Sequence, residues 1–254
     1  MPDCAIVVAT HKPYWMPSAP MYLPLHVGAA GKADIGFTRD DAAPSISEKN
    51  PWYCEVSGMY WAWKHLEAAY VGLAQYRRHF SLQHFVFGTA ARKKAVIGSE
   101  ELAGLLKQDA VLLPSRRHYF IESRKQQFAN AHGAESLAAL EHALRTENPG
   151  YLPAYAKSME RTWGHIYNMF IMRRDIFHAY CTWLFPVLEL MEAKLLQRLG
   201  VLPPRIIGFA AERLLDVWLL HNRVAYAEIG YVTLEPVNWP KKICGFLMRK
   251  FRTF

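Results

Sequence analysis

AIVVAT, residues 5–10, is the stretch that decides the fold of this chain. It is short, apolar and rich in β-branched residues, which is typical of a strand buried on both faces of a sheet. Thr10, His11 and Lys12 end the run and Pro13 follows, so the strand is predicted to pass into a loop there. The first predicted element is therefore a buried strand of an α/β fold with polar side chains at its carboxyl end.

A second buried strand is predicted at residues 70–76, where another apolar run leads into Arg77, Arg78 and His79. Between the two strands, a stretch rich in proline and glycine predicts a long irregular loop of the kind that carries binding residues. Apolar residues at helical spacing after residue 51 then predict a helix.

The rest of the chain continues to alternate between helical and strand patterns. Helices are predicted at 99–108, 134–147, 175–199 (kinked at Pro186) and 204–221, and strands at 110–114 and 168–172. This order predicts an α/β fold in which a mixed sheet is flanked by helices, with a helical C-terminal portion.

Length and composition predict one globular domain over residues 1–238 with a basic tail at 239–254, in a chain of 254 residues. The net charge of +8 favours anionic partners such as nucleotide diphosphates, nucleic acid or anionic lipid. No signal-peptide pattern is found, and no run approaches the roughly 20 apolar residues of a membrane span. These features predict a cytoplasmic protein.

Cationic clusters follow three of the predicted strands, and ligands of open α/β sheets bind outside the carboxyl ends of strands. Arginine side chains match phosphate oxygens in bidentate fashion, so these clusters predict a diphosphate-binding site. The alternative interpretation, a solvated charge run, stays open for 77–79 and for 116–118. The candidate residues are Thr10, His11, Lys12, Tyr76, Arg77, Arg78, His79, Arg116 and Arg117.

Motifs for metals and other cofactors are missing from the sequence. No Asp-x-Asp stands at a predicted strand end, and the HExxH, GxGxxG and Walker patterns are absent. We therefore predict no cofactor and no metal site, and expect the arginines to bind the diphosphate without a divalent metal.

Glu212 is the candidate catalytic residue. On a helix that turns 100° per residue, it lies nearly opposite the apolar side formed by Ile206, Ala210 and Leu214, and leucines flank it as well. A carboxyl in partly apolar surroundings tends toward a raised pKa, which suits acid–base chemistry. A structural pairing with Arg213, Arg205 or another cation is the alternative.

The tail, residues 239–254, mixes five cations with Trp, Ile, Phe, Leu and Met side chains. This mixture predicts a peripheral anchor on anionic lipid at the inner face of the cytoplasmic membrane. The alternative is a terminal helix packed on the domain.

Six ordered motifs make the sequence resemble a known family. They are ATHK (9–12), SEKNP (47–51), YWAWK (60–64), GLAQYRRHF (72–80), NMFIM (168–172) and GFAAERLL (208–215). Together they resemble the DUF4422 family of capsule, exopolysaccharide and O-antigen gene clusters, from about residue 4 to about residue 225. Lys49, Asn50 and Asn168 lie within these motifs and join the candidate nucleotide-sugar site.

The resemblance implies a GT-A-like fold and glycosyltransferase activity, and some relatives are linked to galactofuranose transfer from UDP-galactofuranose. The implied partners are a UDP-sugar donor, a lipid-linked or growing polysaccharide acceptor and the membrane surface, with no nucleic acid. An inactive sugar- or nucleotide-binding scaffold of a polysaccharide-assembly complex is the alternative, and nucleic-acid binding would also suit the charge.

Overall fold

A computed structural model describes residues 3–83 and 85–235. Ten strands and nine α-helices are seen in these residues, with short 3-10 helices at Ser47–Lys49 and Pro149–Tyr151. The strands are β1 (Cys4–Thr10), β2 (Tyr22–His26), β3 (Thr38–Arg39), β4 (Tyr70–Gln75), β5 (Arg78–Ser81), β6 (Val111–Pro114), β7 (Arg117–His118), β8 (Trp163–Gly164), β9 (Phe170–Arg173) and β10 (Ala227–Thr233). The helices are α1 (Asn50–Tyr53), α2 (Glu55–His65), α3 (Thr89–Lys94), α4 (Ser99–Leu106), α5 (Arg124–His132), α6 (Ala134–Glu147), α7 (Leu152–Glu160), α8 (Arg174–Leu199) and α9 (Ile206–Asn222).

The predicted mixed sheet flanked by helices is confirmed. β3, β2, β1 and β4 lie side by side and parallel. Beyond β4 the sheet continues through antiparallel β9 to β6, β10 and β5. β5 returns to β4 through the pair Gln75 and Arg78. Because β9 runs antiparallel to β4, its amino end lies beside the carboxyl end of β4.

β1 is buried on both faces, as its continuous apolar run predicts. Val7 and Ala9 face a core formed with α2 and the helices from α5 to α9, while Ile6 and Val8 face a second core that includes α4. Burial on both sides leaves the carboxyl ends of the parallel strands as the edge where polar side chains collect.

The prediction of an irregular loop after Pro13 is wrong, because β2 and β3 lie in it. Pro24 discourages a strand, yet it fits here. The Met21 carbonyl and the Val27 N–H both bond to β1, so the Pro24 nitrogen points away from β1, toward the edge of the sheet. The missing N–H therefore costs no bond with β1.

Two predicted helices can be compared with the structure, the one after residue 51 and the one that contains Pro186. The helix predicted after residue 51 is broken at Cys54, whose φ is +53°. α8 continues through Pro186.

The predicted anchor at 239–254 lies outside the described residues, and no helix among the described ones is long and apolar enough to cross a membrane.

Candidate functional site

The carboxyl ends of β1 and β4 bring two of the predicted clusters together. Ala9 lies opposite Gln75 in the parallel pair, and the Tyr76 N–H donates to the Ala9 carbonyl at 3.0 Å. The segment 10–12 and the segment 76–78 therefore leave the sheet side by side, as neighbouring parallel strands require.

Tyr76 is the centre of a basic group at this edge. The Lys12 ammonium lies 5.2 Å from the centroid of its ring, and the Arg77 guanidinium carbon lies 5.7 Å from it. The His11 ring meets it edge-on at 5.4 Å. Thr10 is buried, and its hydroxyl donates to the Lys12 carbonyl at 2.7 Å, so it shapes the turn rather than facing solvent.

This group carries an excess of positive charge, although Arg77 also pairs with Glu235 at 3.6 Å. Burial lowers the pKa of His11, and the charges of Lys12, Lys32 and Arg77 lower it further. His11 is therefore neutral at pH 7. A site of this sign attracts anions such as a diphosphate.

Arg78 faces the segment that precedes β9. Its guanidinium carbon lies 4.0 Å from the centroid of the Tyr167 ring and a guanidinium N–H donates to the Gln75 side chain. Gln75 in turn donates through Nε2 to the Tyr167 carbonyl at 3.0 Å. The end of β4 and the start of β9 are thus held in fixed positions next to each other.

Asn168 connects this segment to two helices. Its Nδ2 donates to Glu55 Oε1 at 2.9 Å and to the Gly208 carbonyl at 3.1 Å. At Gly208, α9 passes so close to α1 that a Cβ would lie 3.0 Å from the Tyr53 carbonyl, so a larger residue would have to displace this backbone. Asn168 therefore fixes the first turns of α2 and α9 relative to each other.

Glu55 and Glu212 are two carboxyls at this junction, and both have perturbed protonation. Burial raises the pKa of Glu212 to about 7, the negative charge of Glu55 adds to the shift, and Arg213, Arg205 and the Tyr167 N–H oppose it. Burial also raises the pKa of Glu55. A carboxyl that titrates near neutrality suits a general base.

The alternative role for Glu212, a structural ion pair with a neighbouring arginine, is not observed in the described residues, because both nearby arginines have other partners. Arg213 donates to the Tyr119 hydroxyl at 2.8 Å and to the Gln127 side chain. Arg205 directs Nε to Cys54 Sγ at 3.4 Å. Across residues 3–83 and 85–235, neither arginine forms an ion pair with Glu212.

Backbone strain surrounds the two carboxyls. Cys54, Tyr167, Asn168 and Arg205 all have positive φ, between +52° and +74°. They are four of the six non-glycine residues with positive φ in the described part of the chain. Such conformations persist where the surrounding contacts enforce them, and they are concentrated at functional sites.

Three predicted site residues lie apart from this group. The Lys49 ammonium pairs with Glu192 of α8 at 2.8 Å. Asn50 donates to the Cys54 carbonyl at 2.7 Å and to the Ser57 hydroxyl at 3.0 Å, which stabilises the turn between α1 and α2. His79 is buried, packs against Trp15 and Tyr22, and has its pKa lowered by burial to about 4.

Arg116 and Arg117 differ from each other. Arg116 pairs with Glu228 of β10 and lies 4.1 Å from the Trp163 ring centroid, so its charge already has a partner. Arg117 is exposed on β7 and lies 5.5 Å from the Tyr119 ring centroid. Of this pair, Arg117 is the one whose charge faces solvent.

A buried ionic network lies one turn farther along α9 at Asp216. Asp216 pairs with Arg124 at 3.0 Å and with His165 Nδ1 at 2.5 Å, and all three side chains are buried. Arg124 also donates to the carbonyls of Glu212 and Arg213 at 3.2 Å. Gly164 makes room, because a Cβ there would lie 2.6 Å from Arg124 Nε. This network fixes the backbone that carries Glu212.

Sequence reasoning missed Glu55 and Tyr167, and it considered Arg205 only as a possible partner of Glu212. For Glu55 a signal existed, since it is an acid that opens a helix of largely buried residues, the same pattern that selected Glu212. Tyr167 and Arg205 act through backbone turns that no local motif marks. Among the described residues, no group of three or more His, Cys, Asp or Glu side chains is arranged to hold a metal ion.

The chain belongs to the family described as a domain of unknown function (DUF4422), whose sequence model matches residues 5–223. The family predicted from the six motifs is thereby confirmed. The fold is similar to the apo structure of a bifunctional glycosyltransferase, WbbM, with a TM-score of 0.81 and 26% identity over 92% of this chain. The chain spans 46% of that solved chain, about half its length. Among curated proteins no match is found.

Proposed function

We propose that this chain is a nucleotide-sugar-dependent glycosyltransferase in which Glu212 is the general base. The observation that carries the proposal is a carboxyl with a pKa of about 7 that accepts from the Tyr167 N–H, while Arg78 lies 4.0 Å from the centroid of the Tyr167 ring. The similarity to a bifunctional glycosyltransferase over 92% of the chain supports it.

The cations at the ends of β1 and β4 supply the donor half of the site. Lys12 and Arg77 lie near the Tyr76 ring and Arg78 lies near the Tyr167 ring, and we propose that these three cations bind the diphosphate of a UDP-sugar. Charge-assisted hydrogen bonds from these groups stabilise the diphosphate as it leaves. We propose that they do so without a divalent metal.

In the proposed reaction, Glu212 accepts the proton of an acceptor hydroxyl. The hydroxyl oxygen forms a bond to the anomeric carbon, and the bond from that carbon to the diphosphate oxygen breaks with its electron pair going to the diphosphate. Burial raises the pKa of Glu212 to about 7, which suits proton transfer near pH 7, and the negative charge of Glu55, which accepts from Asn168, adds to the shift.

The finer parts of the proposal concern the setting. We place a GT-A-like transferase domain over 1–238, with the acceptor on a lipid-linked or growing capsular, exopolysaccharide or O-antigen chain. Galactofuranose is the first donor sugar to test. The tail 239–254 is proposed to hold the enzyme at the inner face of the cytoplasmic membrane.

Product analysis with a panel of UDP-sugars and a lipid-linked acceptor tests the function. Wild-type protein should form a glycosylated product from one donor, and Glu212→Gln should lower turnover about 10²–10⁴-fold while UDP affinity is kept. Glu48→Gln, at an exposed acid, is the matched control and should leave turnover unchanged. UDP binding without product from any donor would favour the inactive scaffold instead.

A further inference from the structure

The loop after β5 carries two of the most exposed large apolar side chains in the described part of the protein. Phe85 is 90% exposed, Phe87 is 86% exposed and Leu82 is 47% exposed. We call residues 82–83 and 85–88 the Phe85 loop. Folding does not bury these side chains. Exposed apolar side chains clustered in this way are typical of a surface that contacts a membrane or another protein.

The charge next to the Phe85 loop is uniformly positive. Arg92, Lys93 and Lys94 of α3 follow it, and the sequence has no Asp or Glu from residue 82 to residue 99. Arg92 Nε donates to the Val86 carbonyl at 3.0 Å, which holds α3 against the loop. Exposed aromatic rings and cations are therefore presented together.

We propose that the Phe85 loop and α3 form a docking surface for an anionic lipid bilayer. Phe85 and Phe87 would enter the boundary between headgroups and acyl chains, while Lys93 and Lys94 contact anionic headgroups. The charge argues against a second copy of the chain as the occupant, since a symmetric contact would bring the same cations face to face. The inference depends on surface chemistry and not on the proposed reaction.

The surface adjoins the loop that leaves β1. The Lys93 ammonium lies 5.1 Å from the Trp15 ring centroid, and Trp15 packs against His79, the neighbour of Arg78 in β5. A bilayer on this surface would therefore lie close to the edge of the sheet where Lys12 and Arg77 emerge. An acceptor held in the bilayer would reach the site from that side.

Another exposed apolar group supplies a matched control. Leu199 and Val201, at the end of α8, are 41% and 66% exposed. Arg198 beside them is paired with Glu135, so this group lacks the excess of positive charge. It tests whether exposed apolar area alone accounts for binding.

The experiment is co-sedimentation of the full chain with vesicles of phosphatidylglycerol and phosphatidylcholine, and with phosphatidylcholine alone. Phe85→Ser/Phe87→Ser should lower the partition coefficient on the anionic vesicles by about tenfold or more. Lys93→Gln/Lys94→Gln should lower it by roughly tenfold or more there and have little effect on neutral vesicles. Leu199→Ser/Val201→Ser should match wild type.

Fold changes are measured within the full chain, so binding through residues 239–254 is common to all variants. Circular dichroism should show that each variant is folded, as expected for exposed positions. The proposal is overturned if the Phe and Lys variants both partition like wild type, or if the control loses as much. Self-association without lipid that disappears in the Phe variant would identify a second copy as the occupant and would also overturn it.

Discussion

Glu212 and Asp216 are two acids one turn apart on α9, and their surroundings produce opposite protonation states. Burial raises the pKa of Glu212 to about 7, because no cation pairs with it directly in the described part of the chain. Asp216 is at least as buried, yet its pKa is lowered, because Arg124 and His165 outweigh the effect of burial. Burial alone therefore does not set the protonation state of a carboxyl on α9; the presence or absence of a cationic partner does.

The largest expected effect comes from removing the partnered acid. Asp216→Asn leaves the Arg124 charge buried and unpaired, so the free energy of unfolding at pH 7 should fall by about 3–5 kcal/mol. Because the folded-state pKa of Asp216 is lowered, its stabilisation is present above its unfolded value and is lost as pH falls through the folded value. Denaturant unfolding at pH 7 and at low pH measures both effects.

Asp175→Asn is the matched control for Asp216→Asn. Asp175 pairs with Arg173 at 2.6 Å, but both side chains are more than half exposed. Its removal should cost at most about 1 kcal/mol. Equal losses for the two variants would show that the buried network contributes no more than a surface pair.

Removing the unpartnered acid should have the opposite sign. The folded-state pKa of Glu212 is raised from 4.5 to about 7, so stability falls as pH rises through that window. Glu212→Gln should therefore stabilise the protein at pH 8 by up to about 3 kcal/mol, from 1.36 kcal/mol per pKa unit. Thermal melts at pH 5 and pH 8 measure this, and a loss of stability at pH 8 would support a structural role for Glu212.

Two arginines differ in a similar way: Arg124 is buried and paired with Asp216, whereas Arg78 lies against Tyr167 at the candidate site. Arg78→Ala should weaken UDP binding by about 1.5–3 kcal/mol, the value of a charge-assisted hydrogen bond. Calorimetry in EDTA is the measurement, with Arg145→Ala, at an exposed position of α6, as the control. Binding that vanishes in EDTA and returns with Mn²⁺ would refute the metal-free proposal.

The smallest expected effect is a shift in pH dependence. Turnover should rise with pH through about 7 as Glu212 ionises. Glu55→Gln keeps an oxygen for Asn168 and removes a negative charge beside Glu212, so the midpoint should move to lower pH. An unchanged or higher midpoint would show that the two carboxyls are not coupled.

The strands and helices that sequence could predict are those with a strong apolar period. The run at 5–10 and the helix at 134–147 were predicted almost to the residue. β2 was missed because Pro24 opposes a strand locally, and the direction of its nitrogen is decided only by the pairing of β2 with β1. β5 was missed because three of its four residues are polar, and pairing with β10 stabilises it.

Some residues of the candidate site could be predicted from strand patterns, and others depend on tertiary contacts. The clusters at the ends of β1 and β4 follow from the rule that neighbouring parallel strands end at one edge. Glu55, Tyr167 and Arg205 reach the site through turns with positive φ that depend on tertiary contacts. His79 was misplaced because it was taken for a residue of a strand exit, whereas β5 continues there and turns its ring inward.

The most direct test of the comparison is ¹³C NMR titration of the Glu and Asp side-chain carboxyls, with Glu212→Gln and Asp216→Asn used for assignment. We predict that Glu212 is half protonated at about pH 7 and that Asp216 stays ionised below its ordinary value of 3.8. A Glu212 carboxyl that titrates near 4.5, like that of an exposed glutamate, would contradict its assignment as the general base.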